Sequence, residues 1–299
     1  MRNYRTALTW ARAELAGLDN PALEAEVLLA HLLGRSRSHL LAWPERALDA
    51  VQQRAFAGLI QRRRAGEPLA YITGRREFWS LELEVGPGVL IPRADTELLV
   101  ELALGLIPEL IAEQAPTQGP LRIADLGTGS GAIAAAIASE RPDCQVLAVE
   151  RSDAALGIAR ANLQRLGLGH VQTRQGDWCR AFNPGERFDL ILSNPPYIAS
   201  DDPHLQQGDL PAEPIQALVS GADGLDDLRL ISACAPAHLR PGGWLLLEHG
   251  FAQGACVRQL LRQAGLEAVR SENDLAGQQR VSLGRGKNGR LPKPAFALG

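Results

Sequence analysis

The sequence predicts a doubly wound α/β domain with a mainly parallel sheet, preceded by a small helical bundle and a β-hairpin. After residue 120, short apolar segments alternate with segments of helical periodicity, which is the pattern of βαβ units. Before residue 65, the apolar residues recur at helical spacing. We therefore expect a helical domain, a hairpin linker, an α/β domain and a flexible tail, at residues 1–74, 75–92, 93–285 and 286–299.

The helical domain is clearest in residues 21–33, where Asn20 can cap a helix and Gly34 can end it. The hairpin is predicted from two alternating segments, 78–85 and 89–91, separated by Gly86-Pro87-Gly88. A helix is expected over 95–107. Residues 114–120, rich in Gln, Pro and Gly, are expected to form a surface connection.

Five buried strands are predicted in the α/β domain, at residues 121–126, 146–149, 171–174, 190–193 and 244–248. Helices are expected over 131–140, 153–166, 225–239 and 253–264. In such a sheet, ligands bind beyond the carboxyl ends of the strands. The polar motifs of this domain all follow predicted strands, so they should meet at one edge of the sheet.

Composition indicates a soluble, cytoplasmic protein. The hydrophobic fraction of 45% and the charged fraction of 22% are ordinary, and no segment approaches the roughly 18 apolar residues of a membrane span. The N-terminal residues do not resemble a signal peptide. The four cysteines are far apart and are expected to be reduced, with no metal bound: Cys144, Cys179, Cys234 and Cys256. We expect a monomer.

Charge is distributed unevenly along the chain. Residues 1–75 contain 11 Arg and 7 acidic residues, whereas the remainder contains 20 basic and 27 acidic residues. This asymmetry is compatible with an acidic partner for the helical domain. We favour the simpler interpretation that Arg replaces Lys on solvated helix faces, because the chain has only two lysines, Lys287 and Lys293.

The first predicted strand leads into a glycine-rich loop, Asp125-Leu126-Gly127-Thr128-Gly129-Ser130-Gly131. Glycines allow the backbone to turn tightly and approach a ligand, and the helix that follows presents free N–H groups. The spacing also fits a dinucleotide-binding loop. Asp125 favours S-adenosylmethionine over NAD, because a carboxylate would repel a pyrophosphate but can accept from a cationic amino group.

Acidic residues follow the next two strands. Glu150 can accept hydrogen bonds from both hydroxyls of a ribose. Asp177 can accept from an adenine amino group, and Trp178 offers a flat surface beside the ring. Each acid could instead cap the turn or helix that follows it.

The fourth strand ends in Ser193-Asn194-Pro195-Pro196-Tyr197. Prolines cannot donate to a sheet, so the turn exposes acceptors, namely the Asn194 side-chain oxygen and the Pro195 carbonyl. Such acceptors can hold the two N–H groups of an amide or amine nitrogen while its lone pair attacks an electrophilic methyl group. Tyr197 could cover the site and interact with a sulfonium.

These motifs resemble class I methyltransferases and, in combination, the peptide chain release factor glutamine N5-methyltransferases. The resemblance covers about residues 5–284 and rests on the glycine loop, the Asn194 turn and four further segments: Pro68-Leu69-Ala70-Tyr71-Ile72-Thr73-Gly74, Leu90-Ile91-Pro92-Arg93-Ala94-Asp95-Thr96-Glu97, Glu213-Pro214 and Glu248-His249-Gly250. It implies a seven-stranded methyltransferase sheet and a helical domain that helps to grip the release factor.

The resemblance also implies roles for residues. The cofactor site would be lined by Gly127, Gly129, Gly131, Glu150, Asp177 and Trp178. We also assign Asp125, Thr128 and Asn194 to this site. The glutamine of a Gly-Gly-Gln loop would be held by Asn194, Pro195, Pro196 and Tyr197. Phe78 and Pro92 would form walls of its pocket. Ala94 stands where proline is expected, and Glu150 where aspartate is usual. Residues 198–214 are expected to form a mobile lid.

Three alternatives remain. A nucleic-acid N6-adenine methyltransferase could use the same turn on a flipped base, but it would need a broad basic face and a target-reading domain. A non-catalytic binding module would not require the intact Asn194, glycines and acids. A dehydrogenase is disfavoured by Asp125.

Overall fold

The computed structural model describes residues 2–113 and 119–287. It divides into two compact units, one comprising Met1–Arg75 with Gln206–Ala212, and the other comprising Arg76–Leu205 with Glu213–Gly299. Most of the predicted connection at 114–120, and the predicted tail from residue 288 onward, lie outside the described residues.

The described part of the smaller unit contains five helices: α1 (Tyr4–Glu14), α2 (Pro21–Leu33), α3 (Arg37–Ala42), α4 (Ala50–Arg64) and α5 (Leu69–Thr73). Asn3 and Asp49 each form a capping box at a helix start. Gly34 ends α2 in the left-handed conformation, as predicted, whereas the Asn20 side chain makes no capping hydrogen bond. Apolar residues from these helices pack into one core, which includes Leu28, Leu29, Phe56 and Ile60.

The segment Gln206–Ala212 is held in this unit by a buried arginine. Arg63 of α4 is only 8% exposed and forms ion pairs with Glu24 of α2 and, at 2.8 Å, with Asp209. Its pKa is raised, first by the hydrogen bond to Glu24. Part of the predicted lid, residues 198–214, is therefore tied to the helical unit, and its motion stays a prediction.

The β-hairpin lies at a different place from the one predicted. It pairs β1 (Arg75–Phe78) with β2 (Leu81–Glu84), and residues 86–92 form no strand. The turn is made by Trp79 and Ser80, whose φ angles are 52° and 57°. Positive φ at both central residues is typical of a two-residue hairpin turn, but Asn and Gly usually occupy these positions. The predicted turn at Gly86-Pro87-Gly88 was therefore wrong.

The larger unit contains a seven-stranded sheet in the order β5-β4-β3-β6-β7-β9-β8. Strand β9 runs antiparallel to its neighbours β7 and β8, whereas the pairs from β5 to β7 are parallel. The strands are β3 (Arg122–Leu126), β4 (Gln145–Glu150), β5 (Gln172–Gln175), β6 (Phe188–Ser193), β7 (Leu239–Glu248), β8 (Glu267–Asn273) and β9 (Gln279–Arg285). This confirms the predicted doubly wound, mainly parallel fold.

Helices cover both faces of this sheet. They are α6 (Glu97–Glu113), α7 (Ala132–Glu140), α8 (Asp153–Arg165), α9 (Asp226–Cys234) and α10 (Gly254–Gln263). Alternate strand residues enter two separate apolar clusters, for example Leu190 and Leu192 in one and Ile191 in the other. The helix predicted over 225–239 ends earlier, at Cys234, and a 3-10 turn, Ala235–His238, follows it.

Two of the four cysteines form a disulfide, which contradicts the expectation that all are reduced. Cys179 follows β5 and Cys234 ends α9, and their Cα atoms are 6.1 Å apart. The 55 residues between them conceal this proximity, which arises only when the sheet and α9 pack together. Cys144 and Cys256 are free. Within the described ranges, no helix has both the length and the apolar character needed to cross a membrane.

Candidate active site

A cavity of about 670 Å³ lies in the larger unit at the carboxyl ends of the parallel strands. Seven of the residues predicted from the sequence line it: Gly127, Gly129, Glu150, Asp177, Trp178, Asn194 and Pro196. They follow β3, β4, β5 and β6, so the parallel sheet brings together motifs that are far apart in the chain.

The glycine loop leaves β3 and turns into α7 through three left-handed residues. Gly127, Gly129 and Gly131 have φ angles of 73°, 57° and 84°. A Cβ on Gly127 would also lie 2.9 Å from the Trp178 ring. This glycine is therefore required both by the backbone conformation and by the indole that packs against it.

Asp125 lies behind the loop and does not line the cavity. Its Oδ2 accepts hydrogen bonds from Thr128 Oγ1 at 2.5 Å and from the Ala134 N–H at 3.2 Å. Its Oδ1 is buried without a partner among the described residues. Burial raises the pKa of Asp125 to about 7, although the Thr128 hydrogen bond opposes the shift. The carboxyl group braces the loop, and its interaction with a cofactor amino group stays a prediction.

Glu150 ends β4 and lines the cavity. Oε2 accepts from the Gly129 N–H at 3.0 Å, and Oε1 accepts from the Ser152 N–H at 2.9 Å. A carboxylate has about four acceptor sites, so two remain for a ligand. Glu150 thus combines the two alternatives considered from the sequence, since it braces its own turn and still faces the cavity.

Trp178 forms one wall of the cavity in a left-handed conformation, with φ 46°. Its Nε1 donates to Asp227 Oδ1 of α9 at 3.1 Å. Asp227 is fixed in turn by Ser220, whose hydroxyl donates to Oδ2 at 2.7 Å. Asp177 precedes the indole, with its side chain 38% exposed and an ion pair to Arg180 at 3.4 Å.

The Asn194-Pro195 turn presents unused acceptors. No described residue donates to Asn194 Oδ1 or to the Pro195 carbonyl. The turn is anchored from behind by Ser193, whose hydroxyl donates to the Leu126 carbonyl at 2.7 Å. The two acceptors that the sequence singled out therefore have no donor within the described part of the chain, and their role toward a substrate stays a prediction.

The opposite side of Asn194 is packed against buried polar groups. Its Nδ2 donates to Thr96 Oγ1 at 3.0 Å. The buried carboxyl of Glu248 lies beside the Thr96 hydroxyl. Its Oε1 accepts from the Tyr197 hydroxyl at 3.3 Å, whereas its Oε2 has no hydrogen-bond partner among the described residues. Thr96 is 4% exposed and Glu248 is 0% exposed. The positive charge of Arg280 favours the ionised form of this carboxyl group. Arg280 also forms ion pairs with Asp95 and Asp274, both at 3.1 Å.

Burial perturbs the ionisable members of this cluster. It raises the pKa of Glu248 to about 7, against the opposing effects of Thr96 and Arg280. Burial, together with the Glu248 charge, also raises the pKa of Tyr197. Tyr197 is therefore a neutral hydroxyl at physiological pH, and it points its proton at Glu248.

The predicted pocket walls, Phe78 and Pro92, are buried and do not line the cavity. Phe78 is 1% exposed in the apolar core, and the Pro92 carbonyl accepts from Arg76 Nε at 3.2 Å. Thr128, Gly131, Pro195 and Tyr197 also lie outside the lining, so their roles stay predictions. Glu213, which the resemblance highlighted, accepts from the Ile91 N–H at 3.0 Å and pairs with Arg93.

Sequence reasoning missed part of the cavity wall. Two segments contribute to it without having been assigned to the site: Gly88-Val89-Leu90 and Val219-Ser220-Gly221. Asp226 and Asp227 also line it, at the start of α9. The acidic pair in a helix's first turn resembles ordinary helix capping, which hides its position beside the ligand site. Among the described residues, no group of three or more His, Cys, Asp or Glu side chains could hold a metal ion.

The chain matches two family models, the PrmC N-terminal domain over residues 6–74 and the methyltransferase small domain over residues 107–209. The release factor glutamine methyltransferase of Xylella fastidiosa strain Temecula1 is 54% identical over 263 residues, covering 88% of this chain and 92% of that protein. The Escherichia coli K12 protein of the same name is 46% identical over 282 residues, covering 94% and 98%.

A solved structure has the same fold at lower similarity. The T. thermophilus 16S rRNA N2 methyltransferase, in complex with AdoMet and guanosine, has a TM-score of 0.50 and 22% identity, covering 71% of this chain and 50% of that chain. The curated relatives carry more weight, because their identity of 46–54% extends over nearly their whole length. The chain is therefore an enzyme that belongs to the family of release factor glutamine methyltransferases.

Proposed function

We propose that this enzyme transfers the methyl group of S-adenosylmethionine to the side-chain amide nitrogen, N5, of the glutamine in the Gly-Gly-Gln loop of peptide chain release factors. The observation that carries the proposal is the pair of unused acceptors, Asn194 Oδ1 and the Pro195 carbonyl, beside the cavity. The names of the curated relatives, release factor glutamine methyltransferases, support the choice of substrate. Such a substrate would be met in the cytoplasm.

The cavity residues fit S-adenosylmethionine. A Cβ at Gly127 would fill space against the Trp178 ring, which is the wall that we assign to the adenine. Glu150 retains free acceptor sites for ribose hydroxyls, and Asp177 is exposed enough to accept from an amino group. When bound, this cofactor supplies an electrophilic methyl group on a positively charged sulfur.

An amide nitrogen is a poor nucleophile, because its lone pair is delocalised into the carbonyl. The turn can address this by holding one N–H on Asn194 Oδ1 and the other on the Pro195 carbonyl. With both protons held, the lone pair of the nitrogen is left free to attack the methyl group. As the N–C bond forms, the bond between that methyl group and sulfur would break, and the nitrogen would release one of its two protons. Positioning of this kind can contribute about 7–11 kcal/mol to lowering a barrier.

The acceptors are effective because they are fixed before the substrate arrives. Pro195 is buried, its ring fixes φ, and the following Pro196 restricts its ψ, so the direction of its carbonyl changes little. Ser193 anchors the strand end to Leu126. Prearranged dipoles in a site sheltered from water need no reorganisation during the reaction.

The test is to incubate the enzyme and labelled S-adenosylmethionine with a release factor and, separately, with its variant carrying Gln→Ala in the Gly-Gly-Gln loop. We expect label on the first protein and none on the second. Asn194→Ala should lose most turnover while the Kd for the cofactor changes by no more than a few-fold, because the lost group acts on the substrate.

Equal labelling of both release factor proteins would disprove the glutamine assignment. A parallel incubation with single-stranded DNA and RNA oligonucleotides tests the adenine alternative, which predicts label on the nucleic acid. Methylation of an oligonucleotide in preference to the release factor would replace the proposal with that alternative.

A further inference from the structure

Asn194 belongs to a buried chain of polar groups that crosses three elements of the larger unit. Asn194 Nδ2 donates to Thr96 Oγ1 at 3.0 Å, and the Thr96 hydroxyl lies beside the carboxyl of Glu248, whose buried Oε2 has no other partner among the described residues. Thr96 lies in a short 3-10 turn before α6, Asn194 follows β6 and Glu248 ends β7. Thr96 and Asn194 are 98 residues apart in the sequence, so only the fold brings them together.

The ionised form of Glu248 gives this chain its direction. An ionised carboxyl group can only accept, whereas a hydroxyl donates one proton and accepts on its lone pairs. When Thr96 donates its proton to Glu248, its oxygen can only accept from Asn194. The amide must then turn its NH₂ group toward Thr96, which leaves Oδ1 on the other side.

The orientation of this amide decides whether the turn can bind an N–H group. The oxygen and nitrogen of an Asn side chain are nearly equal in size, so packing alone does not select one orientation. With the amide reversed, a second donor would face the substrate N–H and repel it. The hydrogen-bond chain removes this ambiguity.

We propose that Thr96 and Glu248 are positioning residues for methyl transfer, which orient the Asn194 side chain so that Oδ1 faces the substrate amide. The proposal rests on the proposed function of Asn194. Glu248 has a second task in the same chain, because Oε1 also accepts from the Tyr197 hydroxyl. Thus one buried acid orients two side chains of the Asn-Pro-Pro-Tyr turn.

Thr96→Val is the sharpest test, because it replaces the hydroxyl by a methyl group of similar size. We expect kcat for the release factor to fall roughly ten- to a hundredfold, since a buried N–H of Asn194 loses its partner. The KM for the release factor and the Kd for S-adenosylmethionine should change less than about threefold. Thr96→Ser keeps the hydroxyl and should restore most of kcat.

A matched control is Thr173→Val on β5, which removes the hydroxyl that accepts from Arg160 Nε at 2.9 Å, away from the cavity lining. It should leave kcat unchanged. A double-mutant cycle separates positioning from folding: in the Asn194→Ala background, Thr96→Val should change kcat by less than about twofold. An equal fall in both backgrounds, or no fall in either, would overturn the proposal.

The Asn194 side-chain amide resonance provides a readout that does not depend on the substrate. It can be assigned by its loss in Asn194→Ala, and it should shift in Thr96→Val but not in Thr173→Val. An unchanged resonance in Thr96→Val overturns the positioning role, even if the release factor is not the substrate. Absence of release factor labelling by the unmodified enzyme, with the resonance shifted as expected, would instead refute only the proposed function.

Discussion

Glu248→Gln should make the stability of the protein less dependent on pH. Glu248 is fully buried, and burial raises its pKa from 4.5 to about 7. In the unfolded chain the group ionises near pH 4.5, whereas in the folded protein it keeps its proton until about pH 7. The folded state therefore binds more protons in this window, and its stability falls as the pH rises from about 4.5 to 7.

The magnitude follows from the shift. A difference of roughly 2.5 pKa units corresponds to about 3 kcal/mol in total, of which about 2 to 3 kcal/mol falls between about pH 5 and pH 8. The glutamine side chain of the variant cannot ionise, so this loss should be absent. For a unit of this size the difference amounts to about 5–10 °C in Tm.

The measurement is the Tm of both proteins at about pH 5 and pH 8, by differential scanning fluorimetry at constant ionic strength. The quantity compared is the change between the two pH values within each protein, which cancels any fixed effect of the substitution. Asp125, whose pKa is also raised to about 7, is present in both proteins and cancels as well. Equal pH dependence in the two proteins would refute the assignment of a buried, proton-binding acid at Glu248.

Two further predictions concern the cofactor wall and the disulfide. Gly127→Ala should raise the Kd for S-adenosylmethionine, measured by calorimetry, at least tenfold, because the new Cβ would lie 2.9 Å from Trp178 at a residue whose φ is 73°. The control Gly157→Ala, whose Cβ meets nothing within 4 Å, should leave the Kd unchanged. Equal affinities of the two variants would contradict the close packing at Gly127. Cys234→Ser should lower the free energy of unfolding by up to about 4 kcal/mol, as expected for closing a loop of this length. Dithiothreitol should lower the Tm of the unmodified protein and leave that of Cys234→Ser unchanged. Thiol titration in denaturant should count two free cysteines before reduction, because Cys144 is buried in the folded protein. A Tm insensitive to reduction would contradict a stabilising disulfide.

The centre of the sheet could be predicted from the sequence because β3, β4, β6 and β7 are buried on both faces. Such strands appear as continuous apolar segments, and the chain alternates them with helices. The polar motifs could be placed at one edge because the carboxyl ends of parallel strands meet there. Glu150 and Asn194 were found by this argument, and both line the cavity.

Other features lacked a local signal. The hairpin turn uses Trp79 and Ser80 at positive φ, where a sequence pattern would require Gly or Asn. Strands β8 and β9 alternate exposed and buried residues only weakly, so they were not located individually. The Cys179–Cys234 disulfide joins residues 55 positions apart, and no spacing rule connects them.

The orientation of the Asn194 side chain is the feature of the site that could least be predicted from the sequence. An Asn-Pro-Pro-Tyr string specifies which groups are present, but an amide can face a substrate with either its oxygen or its nitrogen. The choice is made by Thr96, 98 residues away, and by Glu248, 54 residues away in the other direction. Because Glu248 is an acid held without solvent, its protonation state determines the direction of every hydrogen bond up to Asn194. The chemistry assigned to the turn therefore depends on the charge of a group that does not touch the substrate.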